Sequence, residues 1–409
     1  MDGPLNGVRV LDLTRVLAGP FATMLLADLG ADVIKVERPG DGDETRHLPP
    51  LREGESHYFM SVNRGKRGIA IDLKQPAGRD LALELAGASD VLVENFRPGV
   101  IARLGLDYER VRGVNPALVY CSISAFGQSG PLSDRAAFDV AMQALGGIMS
   151  VTGQPEGPPL RSGLPMADLG TGLFAAIGIL SALVEQRRTG RGQLVDVAMF
   201  DAMAGLLTQY AGRYFMTGES AHRVGNGHPA VAPYGSYPAA DGDIVIANLG
   251  ERFWPKIARA IDRPELADDP RFATNADRLR HREELDALIA VQTRRRPVAE
   301  WQARFEAGDV PHAPVQDVAQ VLEHPQAHAR GLVTEVEHAL LGLMRTTGRP
   351  ITLPAHPEMR QTAAPLLGQH TDEVLRDLLG ATAEQLAAWR AAGVIHSSLP
   401  LEGGGLARG

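Results

Sequence analysis

The fold is decided by residues 8–37, VRVLDLTRVLAGPFATMLLADLGADVIKVE. The first apolar run, VRVLDL, predicts a short strand. The segment PFATMLLADLG (20–30) predicts a helix, because Pro20 suits the first turn of a helix and Gly30 suits its end. The run ADVIKVE (31–37) predicts a second strand. A strand, a helix and a further strand in this order are typical of a parallel sheet.

The same alternation continues along the first half of the chain. We predict a helix at 79–88, a strand at 90–95, a short helix near 98–104, strands at 118–124 and 193–199, and a helix at 199–217. The pattern indicates an α/β fold with a Rossmann-like parallel sheet and helices on both faces.

The loops that follow the predicted strands are candidates for ligand binding, because ligands of parallel sheets bind at the carboxyl ends of the strands. Each of these loops contains Gly or Pro, and the first three contain Arg: 14–20, 38–46, 94–100 and 125–131. Judged by charge alone, these basic side chains are expected to face solvent and not to bind a ligand. The prediction of a phosphorylated ligand therefore rests on the position of the loops at the strand ends.

Composition narrows the class of protein. A chain of 409 residues predicts two domains, and a net charge of −8 argues against general binding to nucleic acid or to an anionic membrane. The N-terminus lacks the pattern of a signal peptide, and we see no apolar run near the roughly 20 residues of a membrane span. The single cysteine, Cys121, excludes internal disulfides and cysteine-based metal sites. We expect a cytoplasmic enzyme, and the excess of Arg over Lys is typical of a GC-rich bacterial genome.

The amino-acid composition of the chain changes near residue 222. Residues 222–250 are rich in Gly and Pro, and a mostly helical, highly charged region follows. We therefore predict a first domain at 1–221, a smaller second domain at 222–330 and a further helical segment within 331–395. The last residues, 396–409, are predicted to be disordered.

Asp168 is the candidate catalytic residue in RSGLPMADLGTGLFAAIGIL (161–180). It is the only charged residue between Arg161 and Glu185, and it precedes a helix predicted at 168–188. As a helix N-cap it would accept a backbone N–H, and the helix dipole would lower its pKa. An ionised carboxylate can also act as a nucleophile, and backbone N–H groups at the helix start could receive developing negative charge. Position alone favours the cap.

Other catalytic motifs are missing from the sequence. It contains no GxSxG elbow, no GxxxxGK[ST] phosphate loop, no HExxH helix and no zinc-ligand spacing, so we expect no metal. The first strand is followed by LTRVLAGP and not by GxGxxG, which argues against a dinucleotide-dependent dehydrogenase. His47, His57, His222 and His228 have no partner at motif spacing, which favours surface or loop positions.

Several segments, taken together and in order, resemble the class III CoA-transferases, also called the CaiB/BaiF family. The resemblance covers roughly residues 4–395 and rests on GVRVLDLTRVLAGPFATMLLADLGADVIKVERPGDGDETR, YFMSVNRGKRGIAIDLK, DVLVENFRPGVIARLGLDY, ADLGTG, RTGRGQLVDVAMFDA and APLLGQHTDEVL.

The resemblance implies that Asp168 is the nucleophile of CoA transfer. The carboxylate would form an anhydride with a donor acyl group and then a thioester with CoA, before CoA passes to an acceptor acid. It also implies acyl-CoA and a small carboxylic acid as substrates, with coenzyme A as part of the substrate and no tightly bound cofactor. The family fold implies a large domain built from both chain ends, a smaller α+β middle domain and an interlocked homodimer.

The resemblance also assigns the CoA site to residues of the strand-end loops. The implied residues are Val16, Arg38, Leu73, Lys74, Asn95, Phe96, Arg97, Arg103 and Phe138.

The acceptor is less well defined by the sequence. Leu17 stands where formyl-CoA:oxalate transferases carry glutamine, which argues against oxalate. The loop GNGHPAVAPYG (225–235), with Gly225, Gly227 and His228, resembles relatives that act on dicarboxylates and is expected to cover the site. Candidate partners for a distal carboxylate are Arg15, Arg46 and Arg213.

Two other functions stay open. The 2-methylacyl-CoA racemases resemble this chain but pair the aspartate with a histidine, because proton exchange at carbon requires an acid and a base. Phe138 occupies the histidine position, which argues against a racemase, and the adjacent Asp139 is expected to be a structural hydrogen-bonding group. The other alternative is a non-catalytic CoA-binding protein in which Asp168 only caps a helix.

Overall fold

A seven-stranded sheet is the largest element of the computed structural model, which describes residues 3–357, 359 and 361–398. Its strands are β1 (Arg9–Asp12), β2 (Asp32–Glu37), β3 (Lys66–Ile71), β4 (Val91–Glu94), β5 (Val119–Ser124), β6 (Leu194–Ala198) and β7 (Ile395–His396). The order is β7-β3-β2-β1-β4-β5-β6, and all neighbouring strands are parallel except β7, which is antiparallel to β3. The predicted α/β fold with a mainly parallel sheet is confirmed.

Ten helices accompany the sheet in the described part of the large unit defined below. They are α1 (Ala18–Asp28), α2 (His57–Asn63), α3 (Pro76–Gly87), α4 (Val100–Arg103), α5 (Tyr108–Val114), α6 (Asp139–Leu145), α7 (Met166–Thr189), α8 (Met199–Leu206), α9 (Thr371–Leu379) and α10 (Ala383–Ala391). A 3₁₀ helix covers Glu44–His47, and short hairpins pair Leu51–Arg52 with Glu55–Ser56 and Val333–His338 with Gly342–Thr347.

Buried side chains form a separate cluster on each face of the sheet. Leu11 and Ile34 belong to one cluster, with side chains of α3, α5, α9 and α10. Val10 and Val33, one residue earlier in each strand, belong to the other cluster, with side chains of α1 and α7. Successive side chains of a strand point to opposite faces, so both faces of these apolar strands can be covered by helices.

The sequence analysis did not identify β3 or β7. Strand β3 begins with Lys66 and Arg67, and two basic residues obscure the apolar pattern of a central strand. The structure compensates both charges: Lys66 Nζ lies 2.9 Å from Asp12 Oδ2, and Arg67 Nη2 lies 2.7 Å from Asp32 Oδ2. Strand β7 has two residues, too few for any periodic signal.

The described residues divide into two compact units. The large unit takes in the chain up to Gly147, residues Ser162–Thr208, and the chain from Gln326 onward, and the small unit consists of Ile148–Arg161 and Gln209–Pro325. The boundaries of the smaller domain were predicted near residues 222 and 330. The helix predicted at 199–217 is two helices in the structure, divided near the boundary between the units. Helix α8 ends at Leu206, and a new helix begins at Thr208, which has φ of +34°.

The small unit has its own sheet and core. Three antiparallel strands, Tyr234–Pro238, Asp243–Ala247 and His312–Pro314, pair in the order third, second, first. The helices that begin or lie in this part are Ile148–Val151, Thr208–Thr217, Trp254–Ala260, Asn275–Arg280, Arg282–Thr293, Val298–Ala307 and Val318–Leu322, followed by Pro325–Ala329. Short 3₁₀ helices cover Glu251–Phe253 and Pro264–Ala267. Trp254, Phe272 and Trp301 are buried at its centre. Of the tail predicted to be disordered, residues 399–409 lie outside the described residues.

Helix α7 contradicts the expectation that no apolar run approaches the length of a membrane span. Its 24 residues include an 18-residue window with a mean hydropathy of 1.8, which is long and apolar enough to cross a membrane by length and composition. Half of that window is buried against the rest of the protein. Buried core helices pass the same test, so the window alone is weak support for a membrane span.

The contact between α7 and α1 requires glycine at position 172. A Cβ atom at Gly172 would lie 2.8 Å from the carbonyl oxygen of Ala18 and 2.9 Å from the ring of Phe21. We expect Gly172→Ala to lower the free energy of unfolding by about 1–3 kcal/mol, because the two helices must separate. Urea denaturation would measure the change.

Gly113 provides the matched control, because it lies in helix α5 and its Cβ would meet no atom within 4 Å. Gly113→Ala should leave stability unchanged or raise it by up to about 1 kcal/mol through helix propensity. Equal effects of the two substitutions would contradict the close contact at Gly172.

Candidate active site

Asp168 lines a cavity of about 400 Å³ at the carboxyl ends of the parallel strands. The cavity brings together many residues that the sequence analysis assigned to CoA or substrate. These are Arg15, Val16, Leu17, Asn95, Phe96, Arg97 and Phe138. All of them belong to the large unit, and they come from the loops after β1, β4 and β5.

A neighbouring cavity of about 240 Å³ contains three more of the predicted CoA residues. Arg38, Leu73 and Lys74 line it, and it shares Arg15 and Phe96 with the first cavity. The guanidinium of Arg15 lies 5.2 Å from the centre of the Phe96 ring, and Arg15 Nη1 donates to Glu44 Oε1 at 2.6 Å. The two side chains therefore form the wall that the cavities share.

The remaining predicted residues lie elsewhere. Arg103 is exposed on α4, outside the residues that line either cavity. Gly225, Gly227 and His228 belong to the small unit, as does Arg213, whose Nη2 lies 3.2 Å from Glu219 Oε2.

Arg46 is also placed differently from its predicted role as an acceptor partner. It is buried, its Nε and Nη2 donate to the two carboxylate oxygens of Glu37 at 2.7 Å, and it stacks over Phe59 at 3.6 Å. Glu37 ends β2 beside it, so the edge of the guanidinium formed by Nε and Nη2 is already engaged.

The structure corrects the prediction that Asp168 is the N-cap of α7. The helix begins at Met166, the cap position is occupied by Pro165, and Asp168 is the third helical residue. A proline side chain cannot accept a hydrogen bond, so the first backbone N–H groups of α7 require another partner.

Asp139, at the start of α6, supplies that partner. Its Oδ1 accepts the backbone N–H of Ala167 at 2.8 Å and, more weakly, that of Asp168 at 3.4 Å. Its Oδ2 accepts from Gln143 Nε2 at 2.7 Å, and Gln143 Oε1 accepts the N–H of Ser162 at 2.8 Å. The structural role expected for Asp139 is confirmed, and it fixes the start of α7.

The pKa of Asp168 also differs from the prediction. Burial, and secondly the neighbouring Asp139 carboxylate, raise the pKa of Asp168 to about 7. The helix dipole was expected to lower this pKa. Asp139 lies 29 residues away in the chain, so no local pattern places its carboxylate beside the same helix start. A carboxylate with this pKa is more basic than usual and is easily converted to a neutral form.

Sequence reasoning missed two side chains near Asp168. Arg135 is exposed and lines the same cavity, three residues before Phe138. Tyr58 on α2 lies close enough that Asp168, after burial, contributes to raising the pKa of its phenol. The spacing of RAAFD around Phe138 could have indicated Arg135, whereas Tyr58 comes from a distant segment without a motif.

Tyr58 and Leu17 also line a further, apolar cavity of about 420 Å³. Phe21, Met24 and Leu169 form much of its wall. Among the described residues, no group of three or more His, Cys, Asp or Glu side chains could hold a metal ion.

Comparison with known proteins identifies the family of this chain. Residues 5–371 match the profile of CoA-transferase family III. The chain belongs to CoA-transferase family III. The family resemblance of the sequence is thereby confirmed, and with it the assignment to CoA-transferase enzymes, whose substrates are CoA thioesters.

Two curated relatives are named for CoA transfer to a dicarboxylic acid. The succinyl-CoA:glutarate CoA-transferase of Mus musculus is 41% identical over 377 residues, covering 92% of this chain and 86% of that protein. The succinyl-CoA:mesaconate CoA-transferase of Haloarcula hispanica is 41% identical over 391 residues, covering 91% and 96%. A crystal structure of a CaiB/BaiF family protein from Brucella suis superimposes with a TM-score of 0.84 at 39% identity, covering 92% of this chain and all of that chain.

We expect Asp168→Asn to stabilise this family III member at pH 8 and to leave it unchanged near pH 4. Folding raises the pKa of Asp168 from 3.8 to about 7, so the folded state binds the proton more tightly than the unfolded state. The stability of the wild type therefore falls as pH rises between these two values. Asparagine removes that loss, and the melting temperature at pH 8 should rise by on the order of 2 °C after allowance for solvent screening.

Thermal melts at both pH values test this expectation. Asp134→Asn, on an exposed residue outside the cavity, is the control and should not change the melting temperature at either pH. The same melting temperature for wild type and Asp168→Asn at pH 8 would contradict the raised pKa.

Proposed function

We propose that this enzyme moves CoA from an acyl-CoA donor, such as succinyl-CoA, to a dicarboxylic acid through covalent intermediates on Asp168. The observation that carries the proposal is a largely buried carboxylate, with a pKa of about 7, inside a cavity lined by the predicted CoA residues. The names of the relatives support dicarboxylic acids as acceptors.

The first half of the reaction loads CoA onto the enzyme. An oxygen of Asp168 bonds to the thioester carbonyl carbon of the donor, the C–S bond breaks, and CoA leaves as a thiolate with the electron pair. The thiolate then bonds to the Asp168 carbonyl carbon of the resulting anhydride. The donor acid leaves as a free carboxylate, and CoA remains attached to Asp168 as a thioester.

The second half repeats these steps with the acceptor. The acceptor carboxylate attacks the Asp168 thioester, releases the CoA thiolate and forms a second anhydride. The thiolate attacks the acceptor carbonyl of this anhydride, which gives the new acyl-CoA and free Asp168. No proton is gained or lost overall, so the reaction requires no separate acid or base.

The environment of Asp168 fits these steps. Burial and the Asp139 charge disfavour the ionised carboxylate, whereas the anhydride and the thioester are neutral. Acylation therefore relieves an unfavourable charge, and a carboxylate of raised pKa is also the stronger nucleophile. Leu17, Phe138 and Met199 supply apolar wall beside the reacting group, which helps to exclude water from the anhydride.

The basic residues of the two cavities suit a phosphorylated carrier. Arg38 and Lys74 line the second cavity and are exposed, and Arg97 is exposed in the first. We propose that they bind the phosphates of CoA, with the thioester end reaching Asp168 past the wall of Arg15 and Phe96. We propose Arg15 and Arg135, which line the same cavity as Asp168, as partners of the acceptor carboxylate.

A racemase fits this site poorly. Proton exchange at carbon requires two ionisable groups on opposite faces of the substrate. Phe138 carries no proton, and the described lining of the Asp168 cavity contains no histidine.

We also propose that a second copy of the chain covers the exposed side of α7, forming the homodimer that the family resemblance implies. Leu173, Ile177 and Val184 are 49%, 60% and 73% exposed along that side. Apolar side chains at this spacing on one helix are costly to leave in water, and a matching surface on a second copy would bury them.

Trapping of the covalent intermediate tests the catalytic proposal. We expect wild type incubated with succinyl-CoA and hydroxylamine to gain the mass of one NH unit at Asp168, because hydroxylamine converts an aspartyl anhydride or thioester to a hydroxamate. Intact-protein and peptide mass spectrometry would detect it. Asp168→Ala should show no gain, and Asp134→Ala should behave as the wild type.

In separate samples without hydroxylamine, succinyl-CoA and glutarate should give glutaryl-CoA with the wild type and with Asp134→Ala, but not with Asp168→Ala. A protein that binds CoA but gains no mass with any acyl-CoA tested would support the non-catalytic alternative and end the transferase proposal.

Sedimentation tests the dimer. We expect the wild type to sediment with twice the mass of one chain and Ile177→Asp to shift toward the monomer, because a buried unpaired charge opposes association. Val291→Asp, at a residue that is 51% exposed in the small unit, is the control and should not change the mass. A monomeric wild type would contradict the proposal.

A further inference from the structure

Val16 adopts a backbone conformation that valine rarely takes. Its φ is +66°, in the left-handed region that favours glycine, and a β-branched side chain makes that region especially unfavourable. The residue lies between β1 and α1 and lines the cavity that contains Asp168. A strained residue persists only where its surroundings hold it in place.

Two consecutive peptide groups, Thr14–Arg15 and Arg15–Val16, are held at this point by side chains from other segments. Thr14 O accepts from Lys35 Nζ at 2.8 Å. The N–H and the carbonyl of Arg15 bond to the side-chain amide of Asn95, each at 2.8 Å. The N–H of Val16 points between the two carboxylate oxygens of Asp43, at 3.3 and 3.2 Å.

Asp43 is itself firmly fixed. Its side chain is fully buried and lies 3.0 Å from Lys35 Nζ, which is equally buried. Asp43 also accepts hydrogen bonds from the backbone N–H of Thr45 at 3.0 Å and from the Thr45 hydroxyl at 2.8 Å. Burial alone would raise the pKa of Asp43, but Lys35 and Thr45 hold it below its usual value, so the carboxylate stays charged.

We propose that Asp43 is a positioning residue for CoA binding, which holds Val16 in its left-handed conformation and thereby fixes the wall between the two cavities. The neighbours of Val16 explain the effect, because Arg15 lines both cavities and Leu17 lines the one that contains Asp168. Relaxation of Val16 to negative φ would turn the chain at this point and displace both side chains.

Asp43 lines the second cavity, so a direct contact with CoA is the competing explanation. The two explanations differ in how they depend on residue 16. A direct contact would be lost equally whatever residue occupies position 16. A positioning effect should matter for valine and matter little for glycine, which adopts positive φ without strain.

The proposal rests on CoA occupying these cavities, as proposed above, and it is tested by CoA binding measured directly by calorimetry. Asp43→Asn should weaken CoA binding on the order of tenfold in the wild-type background. The same substitution in the Val16→Gly background should change the affinity by less than about threefold. Equal losses in both backgrounds, or no loss in either, would overturn the proposal.

Glu53→Gly is the matched control background. Glu53 also has positive φ, +49°, but lies in an exposed hairpin turn outside both cavities. Glycine there removes strain without touching the loop after β1, so Asp43→Asn should still cost on the order of tenfold in that background. If Glu53→Gly also reduced the loss of CoA affinity caused by Asp43→Asn, the effect of glycine would be a general gain in stability. That result would count against the proposal.

A second variant keeps the test decisive if Asp43→Asn does not fold. Val16→Pro leaves the Lys35–Asp43 pair intact, but proline cannot adopt positive φ and has no N–H to donate. We expect it to fold and to lose CoA affinity by at least the same factor. Undiminished CoA binding by Val16→Pro would overturn the proposal.

Normal CoA binding without acyl transfer in the wild type would contradict the aspartyl mechanism and leave this inference standing.

Discussion

The structure depends on a buried charge at the end of its first strand. Asp12 is fully buried and bonds to Lys66 Nζ on β3 at 2.9 Å and to the hydroxyl of Thr23 on α1 at 2.7 Å. Burial would raise the pKa of Asp12, but Lys66 and Lys35 hold it at about 2. Such a pair adds little net stability over apolar residues of the same size, but removing one partner leaves a buried charge. The register of β1, β3 and α1 is therefore tied to these specific residues.

The part of the fold that could be predicted follows from repeated local signals. The strand, helix and strand of residues 8–37 were found because apolar runs alternate with a helix that has a clear start and end. Strand β3 was missed for a physical reason, since its first residues are the basic partners of Asp12 and Asp32. Charges that are neutralised only in the folded state look like solvent-facing residues in a sequence.

The site shows the same limit. Asp168 stood out because it is a single charge in a long apolar segment. The loops after the strands bring most of the residues predicted to bind CoA to the same two cavities. What the sequence could not indicate is the distant partner of each group. Asp139 replaces the expected cap and adds to the effect of burial, which raises the pKa of Asp168, and Glu37 pairs with Arg46. These contacts join segments that are far apart in the chain, and local patterns carry no information about them.

The antiparallel strand β7 has a consequence for the order in which the molecule is completed during synthesis. Strand β3 has β2 on one side, and its other edge is paired by Ile395 and His396, almost at the end of the chain. The small unit, which lies between, has left the ribosome before that edge can be closed. Until then the growing chain presents an unpaired strand edge, a surface that promotes association between nascent chains. The time spent translating residues 72–394 is the interval in which this edge is open to chaperones or to another chain.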